Sequence, residues 1–251
     1  ALAGTIIASE HVEIRFSIVF AFLLAALLVQ ATANMWNDYY DFKNGQDKEK
    51  WLRCSDGIYA HTPLHHQIPI VTVVMVSVAI GIGFYLALSS SYLVAIIGAI
   101  GIAFGYFYSA GERSLSAKGF GEIVSGVFLG PVVTTLAYMV HGNPIGIQIL
   151  AISIPFAFLI SSMILSNNIR DIDKDRFYRR TQAMILGRVK AAHLLSVLLG
   201  MSYIWLIVLI YFHFASAWVL LSLLSLPLAI RLRWSFRRNA PREDEVSGMK
   251  W

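Results

Sequence analysis

Of the 251 residues, 57% are hydrophobic and only 14% are charged, and the mean hydropathy is strongly positive. That balance excludes an ordinary soluble domain, and the net charge of +5 is accompanied by no nucleic-acid recognition module. A bilayer core about 30 Å thick needs about 20 mostly apolar residues per helix, because lipid offers no partner to a bare peptide group.

The chain opens with an apolar piece, Ala1 to Ala8, too short to cross and without the basic start and cleavage site of a signal peptide. It reads as the cut end of another helix. Spans follow near 15–36, 68–88, 91–109, 120–141, 146–166, 191–212 and 214–230. The predicted fold is all-α: a polytopic transmembrane helical bundle of seven full spans plus a partial first helix. Residues 1–251 form a single transmembrane domain in this reading, truncated at both ends.

The first span runs into Asn34-Met-Trp-Asn37-Asp38-Tyr-Tyr-Asp41-Phe-Lys43-Asn-Gly45-Gln-Asp47. Helical neighbours three and four apart share a face, so Asn34, Asn37, Asp38 and Asp41 are expected to project together from its last turns. Gly45 permits a turn that brings Asp47 back. In the loop from Trp51 to His66, the spacing of Cys54, Asp56, His61, His65 and His66 resembles no zinc site, and these are expected to be solvated loop residues. Cys54 is the only cysteine, so no internal disulfide is available.

Later in the chain, another span exits into Asn167-Asn168-Ile-Arg170-Asp171-Ile-Asp173-Lys174-Asp175-Arg176. Asp171 and Asp175 are expected to share a face with Asn167 or Asn168, while Asp173 lies about 200° around the helix from Asp171 and points to solvent or away from the shared face.

If the chain crosses once per span, segments 37–67, 110–119, 167–190 and 231–251 fall on one side. They carry 19 of the 20 Lys and Arg, leaving Arg15 alone on the other. By the positive-inside rule that side is cytoplasmic. Of the 15 acids, 13 gather on the same face, which orientation does not require. Carboxylates packed this closely repel one another and are costly near lipid unless a cation compensates. Hard oxygen donors favour magnesium or calcium, and magnesium commonly binds through one or two carboxylates plus substrate phosphates. Either cluster alone also reads as a solvated acidic loop.

The two clusters resemble the aspartate-rich motifs of the UbiA superfamily of intramembrane aromatic prenyltransferases. Asn37-Asp38-Tyr39-Tyr40-Asp41 with Gly45 and Asp47 is similar to the first motif of its 1,4-dihydroxy-2-naphthoate branch, associated with menaquinone biosynthesis. There the third acid lies further along than in the hydroxybenzoate branch. The second cluster resembles the same branch, as does Tyr108-Ser109-Ala110-Gly111 followed by Lys118-Gly119-Phe120-Gly121-Glu122.

The resemblance implies a nine-helix bundle with a cavity open to lipid, a cytoplasmic cap, and two Mg2+ ions. One ion falls to Asp38 and Asp41 with Asn34 or Asn37, the other to Asp171 and Asp175, with Asp47 a further candidate. The partners implied are a polyprenyl diphosphate, an aromatic quinone precursor and the lipid bilayer. Lys118 and Arg170, then Lys43 and Arg113, are candidates for the diphosphate, although each also reads as positive-inside charge at lipid headgroups. Tyr39, Tyr108 and Trp36 could shield a cation or form an interfacial belt. Asn168 joins the substrate-binding set, and Glu122 either orients the acceptor or complements a helix dipole.

The resulting expectation is prenyl transfer to 1,4-dihydroxy-2-naphthoate. The alternatives are another acceptor, such as 4-hydroxybenzoate or homogentisate, and, outside enzymes, an inactive membrane subunit or a transporter. Transport calls for polar residues or broken helices at the bilayer midplane, where this chain is apolar or small.

Overall fold

The computed structural model describes residues 1–45, 65–111, 114–237 and 242–249. Among them every regular element is helical, and seven helices are long and apolar enough to cross a membrane. We number the helices α1 (Leu2–Ala8), α2 (Phe16–Lys43), α3 (Ile68–Ser89), α4 (Tyr92–Ser109), α5 (Gly121–Met139), α6 (Ile147–Arg170), α7 (Ile172–Asp175), α8 (Gln182–Leu186), α9 (Arg188–Tyr211), α10 (Ala217–Ser235) and α11 (Arg242–Gly248). The seven expected spans correspond to α2 to α6, α9 and α10. Three differ in form: α2 continues seven residues beyond position 36, to Lys43, α5 is interrupted by a π turn, and α10 begins as 3-10 turns over Ala217–Ser225.

The chain forms two compact units. The first comprises Ala1–Ala117 and Leu136–Pro144. In it α2 packs against both α3 and α4, which also pack on each other. Pro69 occupies the first turn of α3, where its missing N–H would have had no helical partner anyway. Only two residues join α3 to α4: the Ser90 hydroxyl donates to the carbonyl of Leu86 at 2.7 Å, and the Ser91 hydroxyl accepts from the amide of Leu93 at 3.3 Å. Ile18, Phe22, Ile68, Ala79, Leu86 and Val94 are buried. Phe16, Phe20, Ile70, Phe84 and Leu88 are instead exposed. Lipid tails are as apolar as these side chains, so facing lipid costs them nothing.

The second unit comprises Lys118–Thr135 and Ile145–Trp251. Here α6 packs against both α5 and α9. Its contact with α5 depends on two glycines: a Cβ on Gly126 would stand 2.2 Å from Ser161 Oγ, and one on Gly130 would stand 2.7 Å from the backbone nitrogen of Ala157. By contrast, a Cβ on Gly81, Gly83, Gly98 or Gly101 would meet no described atom within 4 Å. Pro131 falls in a π turn, Phe128–Val132, inside α5. Pro155 sits inside α6, where it cannot donate to the carbonyl of Ala151 four residues back. The indole N–H of Trp205 on α9 supplies the missing donor at 2.9 Å, so a backbone group freed at membrane depth is satisfied by a neighbouring helix. Leu165, Ile169, Ala183, Leu195 and Phe236 close the core near the far end of α6.

Candidate functional site

In the first unit, α2 carries its acidic stretch as helix through Lys43. Asn37 Nδ2 donates to Asp41 Oδ2 at 3.1 Å, and Gln30 Nε2 donates to Asn34 Oδ1 at 3.4 Å. Asn37, Asp38 and Asp41 are half-buried, while Asn34 and Lys43 are exposed. Aromatic rings wedge the same helix end. The Tyr40 and Tyr106 hydroxyls share a hydrogen bond at 2.9 Å, Trp36 meets Tyr106 edge-on at 5.1 Å, and Tyr39 stacks on His65 at 4.6 Å.

His65, expected in a solvated loop, is instead half-buried between Tyr39 and Phe42. Its Nε2 donates to the Tyr39 carbonyl at 3.2 Å. The physical reason is that an imidazole has a flat face for stacking as well as a polar nitrogen. His66 is exposed. Tyr108 is half-buried near the end of α4, and Ser109 beside it is buried. Asp47, Cys54, Asp56, His61 and Arg113 lie outside the described residues.

In the second unit, α6 ends at Arg170 with Asp171 as its cap, and the helical spacing persists across the joint. The amide of Asp171 donates to the carbonyl of Asn167 at 3.0 Å, and the amide of Asp175 to the carbonyl of Asp171 at 2.9 Å. The side chains of Asp171 and Asp175 are 22% and 8% exposed, whereas that of Asp173 is 82% exposed. Arg170 grips Asp171 with a two-pronged contact, Nε to Oδ1 at 3.0 Å and Nη2 to Oδ2 at 2.5 Å. Its third nitrogen lies 3.8 Å from Met249 Sδ. Arg179 Nε stands 3.6 Å from Asp175 Oδ2.

Glu122, in the first turn of α5, is only 6% exposed, and its Oε1 accepts from Asn168 Nδ2 at 2.8 Å. Because that carboxyl oxygen is the acceptor, the Asn168 amide turns its nitrogen toward it. Ser161 ties the two helices again by donating to the backbone carbonyl of Glu122 at 2.9 Å. Among the described residues Glu122 Oε2 is buried without a hydrogen-bond partner. Lys118 is exposed in a short 3-10 turn, Ser116–Lys118.

Reading the sequence passed over four participants. Tyr106 and Arg179 lie among residues that look like belt aromatics and orienting charge. Glu245 of α11, 1% exposed and paired with Arg188 of α9, lies in what reads as a terminal polar segment. Tyr40 stands in the middle of the quoted motif, where its partner on α4 cannot be seen from spacing.

Among the described residues no three His, Cys, Asp or Glu side chains gather into a group able to hold a metal ion alone. What each acidic helix end offers is two carboxylates at helical spacing with asparagines within four residues of at least one of them in the chain. That hard-oxygen set fits magnesium, whose coordination is commonly completed by substrate phosphates.

Fold and side chains together define an all-helical integral membrane protein with paired acids and amides at the ends of two of its spans. Residues 1–251 match the family model for the UbiA prenyltransferase family, and the chain belongs to that family. It is 33% identical over 250 residues to a Bacillus subtilis protein named 1,4-dihydroxy-2-naphthoate octaprenyltransferase, covering 99% of this chain and 80% of that one. A protein of the same name from Mycobacterium tuberculosis is 30% identical over 224 residues, covering 88% and 74%. Among solved structures, a UbiA homolog from Archaeoglobus fulgidus bound to GPP and Mg2+ shares the fold with a TM-score of 0.70 at 14% identity, covering 98% of this chain and 88% of that one.

Proposed function

We propose that this chain transfers a polyprenyl group from an isoprenyl diphosphate to 1,4-dihydroxy-2-naphthoate, releasing diphosphate and carbon dioxide, as a step of menaquinone biosynthesis. The observation that carries the reading is the family match over residues 1–251 together with relatives named for that transfer.

In this reading Asp38 and Asp41, with Asn34 or Asn37, would hold one Mg2+, and Asp171 and Asp175 a second, with Asp47 a further donor. Bound magnesium supplies neutralising charge at the oxygens of the leaving diphosphate. Lys118 and Arg170, supported by Lys43 and Arg113, are assigned to the same oxygens. Asn168, Tyr108 and Glu122 line the substrates, with Glu122 fixing the Asn168 amide through the 2.8 Å hydrogen bond. The aromatic rings at the end of α2 and the apolar spans exclude water while the allylic carbon carries positive charge.

The electron count closes without a protein base. The C–O bond to diphosphate breaks and the leaving group takes its electron pair. The ring carbon bearing the carboxylate bonds the prenyl carbon, and departure of carbon dioxide returns a pair to the ring. Because 19 of 20 Lys and Arg lie on the acid-bearing side in the seven-span reading, the active site is assigned to the cytoplasmic face.

Membranes containing the protein, supplied with carboxyl-labelled 1,4-dihydroxy-2-naphthoate and a polyprenyl diphosphate, are expected to release one labelled carbon dioxide per prenyl group transferred. Label retained in the prenylated product, or preference for 4-hydroxybenzoate, overturns the naphthoate assignment.

A further inference from the structure

Asp171 and Asp175 do not wait as bare anions; each lies against an arginine of its own unit. Arg170 occupies both oxygens of Asp171, at 3.0 and 2.5 Å, in the planar fork geometry that suits a carboxylate. Arg179 lies 3.6 Å from Asp175, and the two side chains are only 15% and 8% exposed. The four groups are neutral together, and a divalent ion arriving alone would leave them doubly positive in a partly desolvated place. It would also have to displace a guanidinium from the oxygens it needs.

We propose that Arg170 and Arg179 are resident counter-ions that admit a cation to this carboxylate pair only together with a diphosphate, which takes the arginines over. The inference rests on the proposed function and adds an order of events to it. A guanidinium binds phosphate oxygens with the same two-pronged geometry it offers a carboxylate, so the exchange costs Arg170 no hydrogen bonds. The diphosphate contributes its own oxygens to the cation as Asp171 is released. Until that exchange Arg179 holds Asp175 in place.

Binding of Mn2+ to the purified full chain, followed by electron paramagnetic resonance, tests the idea in an Asp38→Asn/Asp41→Asn background that silences the other acidic helix end. Affinity for Mn2+ that depends on Asp171 and Asp175 is expected to rise by about tenfold or more when inorganic pyrophosphate is added, the scale of one hydrogen bond to a charged group. Arg170→Gln is expected to bind Mn2+ about tenfold more tightly without pyrophosphate and to lose most of the pyrophosphate effect. Arg170→Lys keeps the charge but not the fork, and is expected to fall between the two, which guards against a folding defect in the glutamine variant.

Aspartate-dependent Mn2+ binding that is equally tight without pyrophosphate and indifferent to Arg170→Gln and Arg170→Lys overturns this inference and leaves the proposed function standing. Absence of any Mn2+ binding dependent on Asp171 and Asp175, with pyrophosphate present, overturns the metal assignment and this inference with it.

Discussion

Replacing Gly130 with alanine places a methyl group 2.7 Å from the nitrogen, 2.9 Å from the Cα of Ala157 and 3.1 Å from the carbonyl carbon of Phe156. All three are backbone atoms of α6, so no side-chain rotation relieves the contact. Ordinary van der Waals separation begins near 3.4 Å, so α5 and α6 must part by about 0.7 Å or bend, and overpacking of this kind costs about 1–3 kcal/mol. The loss extends beyond stability, because the same two helices carry the Glu122–Asn168 hydrogen bond of 2.8 Å.

Thermal unfolding in nanodiscs and prenyl transfer should therefore fall together in Gly130→Ala. Gly98→Ala, where the new methyl meets no described atom within 4 Å, should be neutral or slightly stabilised. Adding Ser161→Gly should not rescue Gly130→Ala, since Ser161 is not what the new methyl strikes. If Gly130→Ala melts with Gly98→Ala and keeps full activity, the close approach of α5 and α6 is not what sets this part of the site.

Asp38→Asn and Asp171→Asn should each abolish turnover while the protein still inserts, and the double variant should be little worse than either, because groups acting as a unit are not additive. Asp173→Asn should be mild, its side chain being 82% exposed. In a Cys54→Ser background, Asp173→Cys should react with a membrane-impermeant maleimide from the cytoplasmic side and Pro144→Cys from the opposite side; labelling of both from one side would refute the crossing order. Trp205→Phe should destabilise the protein by about 1–3 kcal/mol by orphaning the Ala151 carbonyl. Most of that loss should vanish in a Pro155→Ala background, where the helix itself supplies the donor; equal losses in both backgrounds would refute the account of Trp205.

The spans were legible because apolar length is a local property: α3, α4 and α6 begin within two residues of where hydropathy alone puts them. The acids of α2, and those at the α6 cap and in α7, follow the same local rule, since helical spacing places Asn37 four residues from Asp41 and turns Asp173 away from Asp171. What spacing could not supply were partners far along the chain. Glu122 and Asn168 are 46 residues apart, and Tyr40 and Tyr106 are 66 apart. Arg170 and Asp171 are adjacent, yet nothing in adjacency says that the guanidinium folds back onto its neighbour. Among the glycines, Gly81, Gly83, Gly98 and Gly101 of α3 and α4 meet no described atom within 4 Å, whereas Gly126 and Gly130 touch α6. Only the position of the opposing backbone distinguishes them.

The length of α2 sets where its acids sit. At 28 residues it is about 42 Å long, against a hydrocarbon thickness of about 30 Å. Counted from Phe16, about 20 residues fill the apolar slab and reach Met35, so the Asn37 to Asp41 turn emerges at headgroup depth, where ions can reach it from water. Lipid acyl length thereby becomes a control on the chemistry. Thicker bilayers would draw this turn toward hydrocarbon, at a cost that grows with each ångström of mismatch, and thinner ones would lift it clear.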